Sequence, residues 1–272
     1  MAIKSPLINV MERAARKAGR GLLRDFGEVE QLQVRTKGPA DFVSNADHKA
    51  DQTIREELGH ARPDFTMLTE ESGETAGTDG MYRWIVDPLD GTTNFLHGIP
   101  HFCISIGVEG RSILGGKQVS EIVAGIVYDP VHDQSFWAEK GVGAYLNDRR
   151  LRVSGRRDLA TSLIASGLPT LGRADPDVHQ AETRALMEKV AGLRRFGAAA
   201  LDLAWVAAGR YEAFWEVALK PWDIAAGILL VREAGGFVTE VNGGNNMMTS
   251  GSILASNGQI HAEIRGILAK SH

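Results

Sequence analysis

The order of its hydrophobic patterns most limits what this chain of 272 residues can fold into. Leu7, Val10, Met11, Ala14, Ala18 and Leu22 recur at helical spacing, with arginines and lysines on the other face. Helices are predicted at 5–24 and 44–60. A series of strand-like runs follows from about 65 to 147, including 102–109, 121–128 and 135–139. Beyond a basic connection the pattern alternates. Strand 162–166 precedes helix 177–191, and strand 193–196 precedes helix 199–209. Strand 211–217 then leads to helix 222–235, with strands near 236–241 and 252–256. Helices, then many strands, then alternation predict an α+β region joined to an α/β region. The expected division is an N-terminal lobe, 1–148, and a C-terminal lobe, 149–272, in one compact unit.

Composition narrows the class. With 43% hydrophobic and 24% charged residues, the chain can bury a full core. A net charge of -4 argues against direct nucleic-acid binding. Arg149, Arg150, Arg152, Arg156 and Arg157 are clustered and read as a solvated connection between lobes. The single cysteine, Cys103, allows no intrachain disulfide and fits a reducing cytoplasm. Its place in an apolar run marks it as a small core residue. No apolar run reaches the roughly 20 residues that span a bilayer, so no membrane association is expected.

The chemistry is concentrated in Trp84-Ile85-Val86-Asp87-Pro88-Leu89-Asp90-Gly91-Thr92-Thr93-Asn94-Phe95. Trp84 to Val86 reads as a short buried strand, which Pro88 should stop because proline donates no ladder hydrogen bond. Asp87 and Asp90 then share a turn at the strand's end. Close carboxylates repel, which a hard cation between them relieves. Gly91 lets a ligand approach the backbone, and the following amides suit an anion. Asp-Gly alone is a common turn former; the whole run, joined by other acids, suggests phosphate chemistry on divalent metals. Two segments supply such acids. Thr69-Glu70-Glu71-Ser72 ends a β-prone run, and Pro221-Trp222-Asp223-Ile224-Ala225-Ala226-Gly227 opens a helix whose first turn favours a carboxylate.

Together, in order and spacing, these segments resemble the inositol monophosphatase family of Mg²⁺-dependent, lithium-sensitive phosphatases. Leu201-Asp202-Leu203-Ala204 and Leu219-Lys220-Pro221-Trp222-Asp223 are most similar to its bacterial SuhB type. The resemblance implies a layered α/β/α/β/α sandwich of the inositol monophosphatase and fructose-1,6-bisphosphatase type. It implies Glu70, Asp87, Asp90 and Asp223 as side-chain metal ligands, with the Leu89 carbonyl. Two or three Mg²⁺ per subunit are expected, with Mn²⁺ as a substitute. Glu70 and Thr92 are implied around the attacking water, and Asp47 within reach of Thr92. Lys37 and Asp41 could support a weaker metal. Asp90, Gly91, Thr92, Gly197, Ala199, Glu216 and Asp223 are implied at the substrate, with Glu216 reading polyol hydroxyls. One position departs from the pattern. Ala198 stands where Ser or Thr is usual, which weakens the inference to inositol itself.

The expected activity is hydrolysis of inositol 1-phosphate or a similar small polyol or sugar monophosphate, in a cytoplasmic homodimer. The alternative the resemblance carries is a SuhB-like accessory role with RNA-polymerase antitermination factors. A haloacid-dehalogenase mechanism fits poorly. It needs an aspartate nucleophile two positions before a second aspartate, whereas Asp87 and Asp90 are three apart.

Overall fold

The structure, a computed structural model, describes residues 3–28, 34–38, 41–115, 117–168 and 174–271; for 34–43, 114 and 116–118 no side chain is described. In chain order the elements begin α1 (Pro6–Phe26), β1 (Val34–Gly38), β2 (Asp41–Ser44), α2 (Asn45–Ala61), β3 (Thr66–Thr69), β4 (Gly73–Thr75), β5 (Tyr82–Asp90) and α3 (Thr92–Leu96). Next are β6 (Cys103–Leu114), β7 (Lys117–Asp129), β8 (Gln134–Glu139), β9 (Gly143–Leu146), β10 (Arg149–Arg150) and a 3₁₀ turn at Leu159–Thr161. The last part holds β11 (Leu163–Ser166), α4 (Pro176–Met187), β12 (Gly192–Arg194), α5 (Ala199–Ala207), β13 (Ala213–Glu216) and α6 (Pro221–Glu233). It closes with β14 (Phe237–Thr239), α7 (Met247–Ser250), β15 (Ile253–Ser256) and α8 (His261–Leu268).

Two sheets organise these elements. The larger runs β10-β9-β8-β7-β6-β5-β3-β4 and the smaller β12-β11-β13-β15-β14. Strand alternation sets the layers. In β7 and β8, Ile126 and Trp137 face a core with Ile8, Met11 and Ile54 of α1 and α2. Their neighbours Val127 and Phe136 face a second core with Leu201 of α5 and Ile228 of α6. In β13, Phe214 joins that central core, while Ala213 and Trp215 turn outward to Leu186 of α4 and Ile264 of α8. The result is the expected α/β/α/β/α sandwich.

The central layer is tight, and that tightness positions the acids. A Cβ on Gly107 of β6 would lie 2.9 Å from the Cβ of Ala225, and one on Gly125 of β7 2.9 Å from the Cα of Ala226. Both glycines therefore let α6 lie directly on the larger sheet. Between the helices, a Cβ on Gly227 would come within 2.4 Å of the Leu203 side chain.

The structure corrects the reading of Pro88. Strand β5 continues through it to Asp90. Asp87 pairs with Ser105 and Asp90 with Cys103, so three steps on β5 match two on β6. This bulge places Pro88 where no ladder bond is required, and the parallel partner β3 has already ended opposite Val86. The helices predicted at 177–191 and 199–209 stop earlier, at Met187 and Ala207. Gly209, at φ +68°, turns the chain out of the latter. The short helix α3, and α7 and α8, were not predicted. The first two are too brief for a periodic pattern.

Candidate active site

Four acids arrive from three elements. Asp87 and Asp90 flank the β5 bulge. Glu70 follows β3 and is tied to β5 by its backbone N–H, which donates to the Val86 carbonyl at 3.1 Å. Asp223 lies in the first turn of α6, where one carboxylate oxygen accepts the Lys220 backbone N–H at 2.7 Å. Asp87 is buried, and one of its oxygens accepts the Leu89 N–H at 2.9 Å. Burial pushes its carboxyl well above the usual range, and the charges of Glu70, Asp90 and Asp223 push it the same way. Asp90 is raised to about 6, first by burial, with hydrogen bonds from Ala200 and Cys103 opposing.

As placed, no three His, Cys, Asp or Glu side chains among the described residues form a ready-made metal cluster. The four carboxylates share a field rather than a common centre. Their chemistry nonetheless fits a hard divalent cation: all donors are carboxylate oxygens, and buried Asp87 bears the cost of the others' charge.

A proton-handling pair stands beside them. The Thr92 hydroxyl lies 3.1 Å from Asp47 Oδ1 and 3.0 Å from the Leu89 carbonyl. Two acceptors compete for its one hydrogen. Asp47 Oδ2 accepts from both the backbone N–H and the hydroxyl of Ser44, at 2.9 and 2.6 Å, which caps α2. Buried Asp47 has its carboxyl raised by desolvation against the pull of these hydrogen bonds. Gly91 precedes Thr92 at φ +94°, and a Cβ there would meet the His101 carbonyl at 3.0 Å. Only glycine suits that turn.

The expected substrate wall lies across the turn. Ala200 N–H donates to Asp90 Oδ2 at 2.7 Å, so the start of α5 is locked to a β5 acid. Gly197 is at φ +83° and Ala199 opens α5. Asn94 ties this wall to the turn, donating to the carbonyls of His101 and Phe196 at 2.8 and 2.7 Å. Ala198 is only 1% exposed, and its Cβ lies 3.3 Å from where a Cβ on Gly91 would stand. Glu216 ends β13, with its carboxyl raised by burial and by the charges of Asp223, Asp202 and Asp90. The side chains of Lys37 and Asp41 lie outside the described residues.

Sequence reasoning missed the supporting roles of three residues. Asp202, 1% exposed in α5, feels the charge of Asp90; its one signal is an acid inside Ala199–Ala207. Buried Asp51 accepts the Ser72 hydroxyl at 2.5 Å and so anchors the turn after Glu70 to α2. Cys103 is a core residue, as expected, but its thiol also lies 3.6 Å from Asp90 Oδ2. Burial raises that thiol far above its usual range, keeping it a neutral donor.

Comparison with known proteins agrees with this arrangement. The model of the inositol monophosphatase family matches residues 3–272. The chain belongs to the inositol monophosphatase family. It is similar to an inositol-1-monophosphatase of Rhizobium meliloti (strain 1021), 52% identical over 98% of this chain and 97% of that one. It is also similar to the Nus factor SuhB of Escherichia coli (strain K12), 44% identical over 94% of this chain and 92% of that one. The crystal structure of extragenic suppressor protein suhB from Bartonella henselae superposes with a TM-score of 0.92, at 54% identity. It covers 98% of this chain and 99% of its own. The family is one of phosphatases, and this member is an enzyme, a phosphoric monoester hydrolase. No helix among the described residues is long and apolar enough to cross a membrane.

Proposed function

We propose that this phosphatase hydrolyses inositol 1-phosphate or a similar small polyol or sugar monophosphate by direct attack of water, with Mg²⁺ as cofactor and with lithium sensitivity. The observation that carries it is the gathering of Glu70, Asp87, Asp90 and Asp223 from β3, β5 and α6 around buried Asp87, whose carboxyl is raised first by burial and then by the charges of the other three. These four, with the Leu89 carbonyl, would hold two or three Mg²⁺, with Mn²⁺ as a substitute. Bound there, the cation supplies a lowered pKa for water and neutralises charge on the phosphoryl oxygens.

The residues do the rest. Thr92 and Glu70 align the attacking water; the Thr92 oxygen takes the proton the water loses as the Thr92 hydroxyl passes its own to Asp47, 3.1 Å away. Amides of Gly91 and Thr92, at the start of α3, hold the phosphoryl oxygens beside Asp90. Gly197 and Ala199 let the polyol approach the start of α5, and Glu216 accepts its hydroxyls, with Asp223 alongside. We further propose a cytoplasmic homodimer of subunits whose two lobes divide at 148 and 149. The exposed Leu168 and Met187 support a subunit contact, and buried, free Cys103 supports a reducing compartment.

A second reading has one observation in its favour, the 44% identity to the Nus factor SuhB. An accessory role with RNA-polymerase-associated factors is compatible with retained catalysis. Phosphate release from a panel of phosphomonoesters tests the main reading. Activity should require Mg²⁺ and collapse in Asp90→Asn. Full turnover in EDTA would falsify it.

A further inference from the structure

Gly167 follows β11 directly, and its φ is not in the left-handed region. Its lack of a side chain therefore serves space rather than conformation. Strands β11 and β13 pair in parallel register, Ser166 opposite Trp215, so Gly167 stands beside Glu216. The Ser166 hydroxyl fixes that register by donating to the Trp215 carbonyl at 2.9 Å. A Cβ on Gly167 would lie 1.9 Å from the Glu216 carboxyl carbon and 2.0 and 2.1 Å from its oxygens. No other glycine in the described residues has a carboxyl carbon so close to its missing Cβ. The Glu216 carboxyl thus occupies the volume that a side chain at 167 would fill.

We propose that Gly167 is a specificity-determining position: its bare backbone is the seat of the Glu216 carboxylate, and so aims it at the polyol. This rests on the reading of Glu216 as the hydroxyl-binding acid. The overlapping atoms are the far end of a flexible side chain, so a methyl at 167 displaces the carboxylate rather than the backbone. Room exists for it. Gly167 borders a groove of about 780 Å³ between α4 and β12, lined also by Leu168, His179, Arg195 and Trp215. A displaced Glu216 remains a charge near the site but no longer meets the hydroxyls.

The test compares Gly167→Ala, Glu216→Ala and the double variant on inositol 1-phosphate and p-nitrophenyl phosphate. Gly167→Ala should melt within a few degrees of wild type. Its kcat/KM ratio for inositol 1-phosphate over p-nitrophenyl phosphate should fall by about tenfold, the worth of a hydrogen bond to a charged group. The loss should sit mainly in KM, and the double variant should be no worse than Glu216→Ala. An unchanged ratio in Gly167→Ala, with a reduced one in Glu216→Ala, overturns the seat and leaves the reading of Glu216 standing. An unchanged ratio in Glu216→Ala overturns both. If Gly167→Ala fails to fold, recovery of folding in the double variant supports the overlap with Glu216, and continued failure overturns it.

Discussion

Two helix starts in this protein use the same device for different ends. In α2, Asp47 accepts the Ser44 backbone N–H three residues earlier; in α6, Asp223 accepts the Lys220 N–H in the same way. Both acids satisfy an orphan donor and favour the helix dipole. Their surroundings differ. Asp47 meets hydroxyls, those of Ser44 and Thr92. Asp223 meets carboxylates, adding its charge to Asp87 and Glu216. An acid among hydroxyls can take a proton, and an acid among acids calls for a cation. The cap is local, whereas the role is set by what the fold brings beside it.

Asparagine substitution separates the two, because its carbonyl can keep the cap while its amide replaces the other oxygen with a donor. The largest effect is expected at Asp223. Asp223→Asn should cut kcat/KM about a thousandfold through the loss of an oxygen ligand and its field. Its Mg²⁺ requirement should shift to higher concentration, read by titration of activity. Undiminished Mg²⁺ affinity would mean that Asp223 is a cap and nothing more.

Asp47→Asn should lower kcat about a hundredfold, the scale of general base catalysis. The amide facing Thr92 would donate where an acceptor is needed. Mg²⁺ affinity should be unchanged, because Asp47 lies outside the acid group. A loss expressed wholly in Mg²⁺ affinity would erase the distinction between the two helix starts.

The smallest effect is a pH-dependent gap in melting temperature. Raised carboxyls bind more protons in the folded than in the unfolded state. Without metal, the stability they allow is therefore present near the ordinary carboxylate value of 3.8 and declines as pH rises through about 6, the value for Asp90. His101, half-buried and lowered to about 4 by desolvation, works in the opposite direction as pH falls below 6.5, so absolute curves mix both effects. The difference between Mg²⁺ and EDTA isolates the acids. It should widen by several degrees between pH 5 and 7.5. A gap that is constant with pH would show that metal binding does not compete with protons at these carboxylates.

Much of the site was legible because its parts are local. The run from Asp87 to Thr92, the Glu70 turn and the Pro221-Asp223 helix start each place their acids through short-range backbone chemistry. The face that Glu216 takes was not legible from its strand, where an acid could equally meet solvent; only the family resemblance pointed it to a ligand. The bulge at Pro88 was not legible, since a proline is tolerated only by virtue of what its neighbours leave unpaired. Nor were Asp51, Asp202 and Gly167, whose roles depend on partners 21 or more positions away.

The sequence by itself therefore determined the longer elements, the amphipathic face of α1 and the acids at the element ends, all consequences of spacing and of turn-forming residues. Tertiary structure decided which acids share a field. Close approach of α6 to the larger sheet, permitted by Gly107 and Gly125, brings Asp223 to the end of β5. Electrostatic coupling depends on distance in space, and packing alone sets that distance.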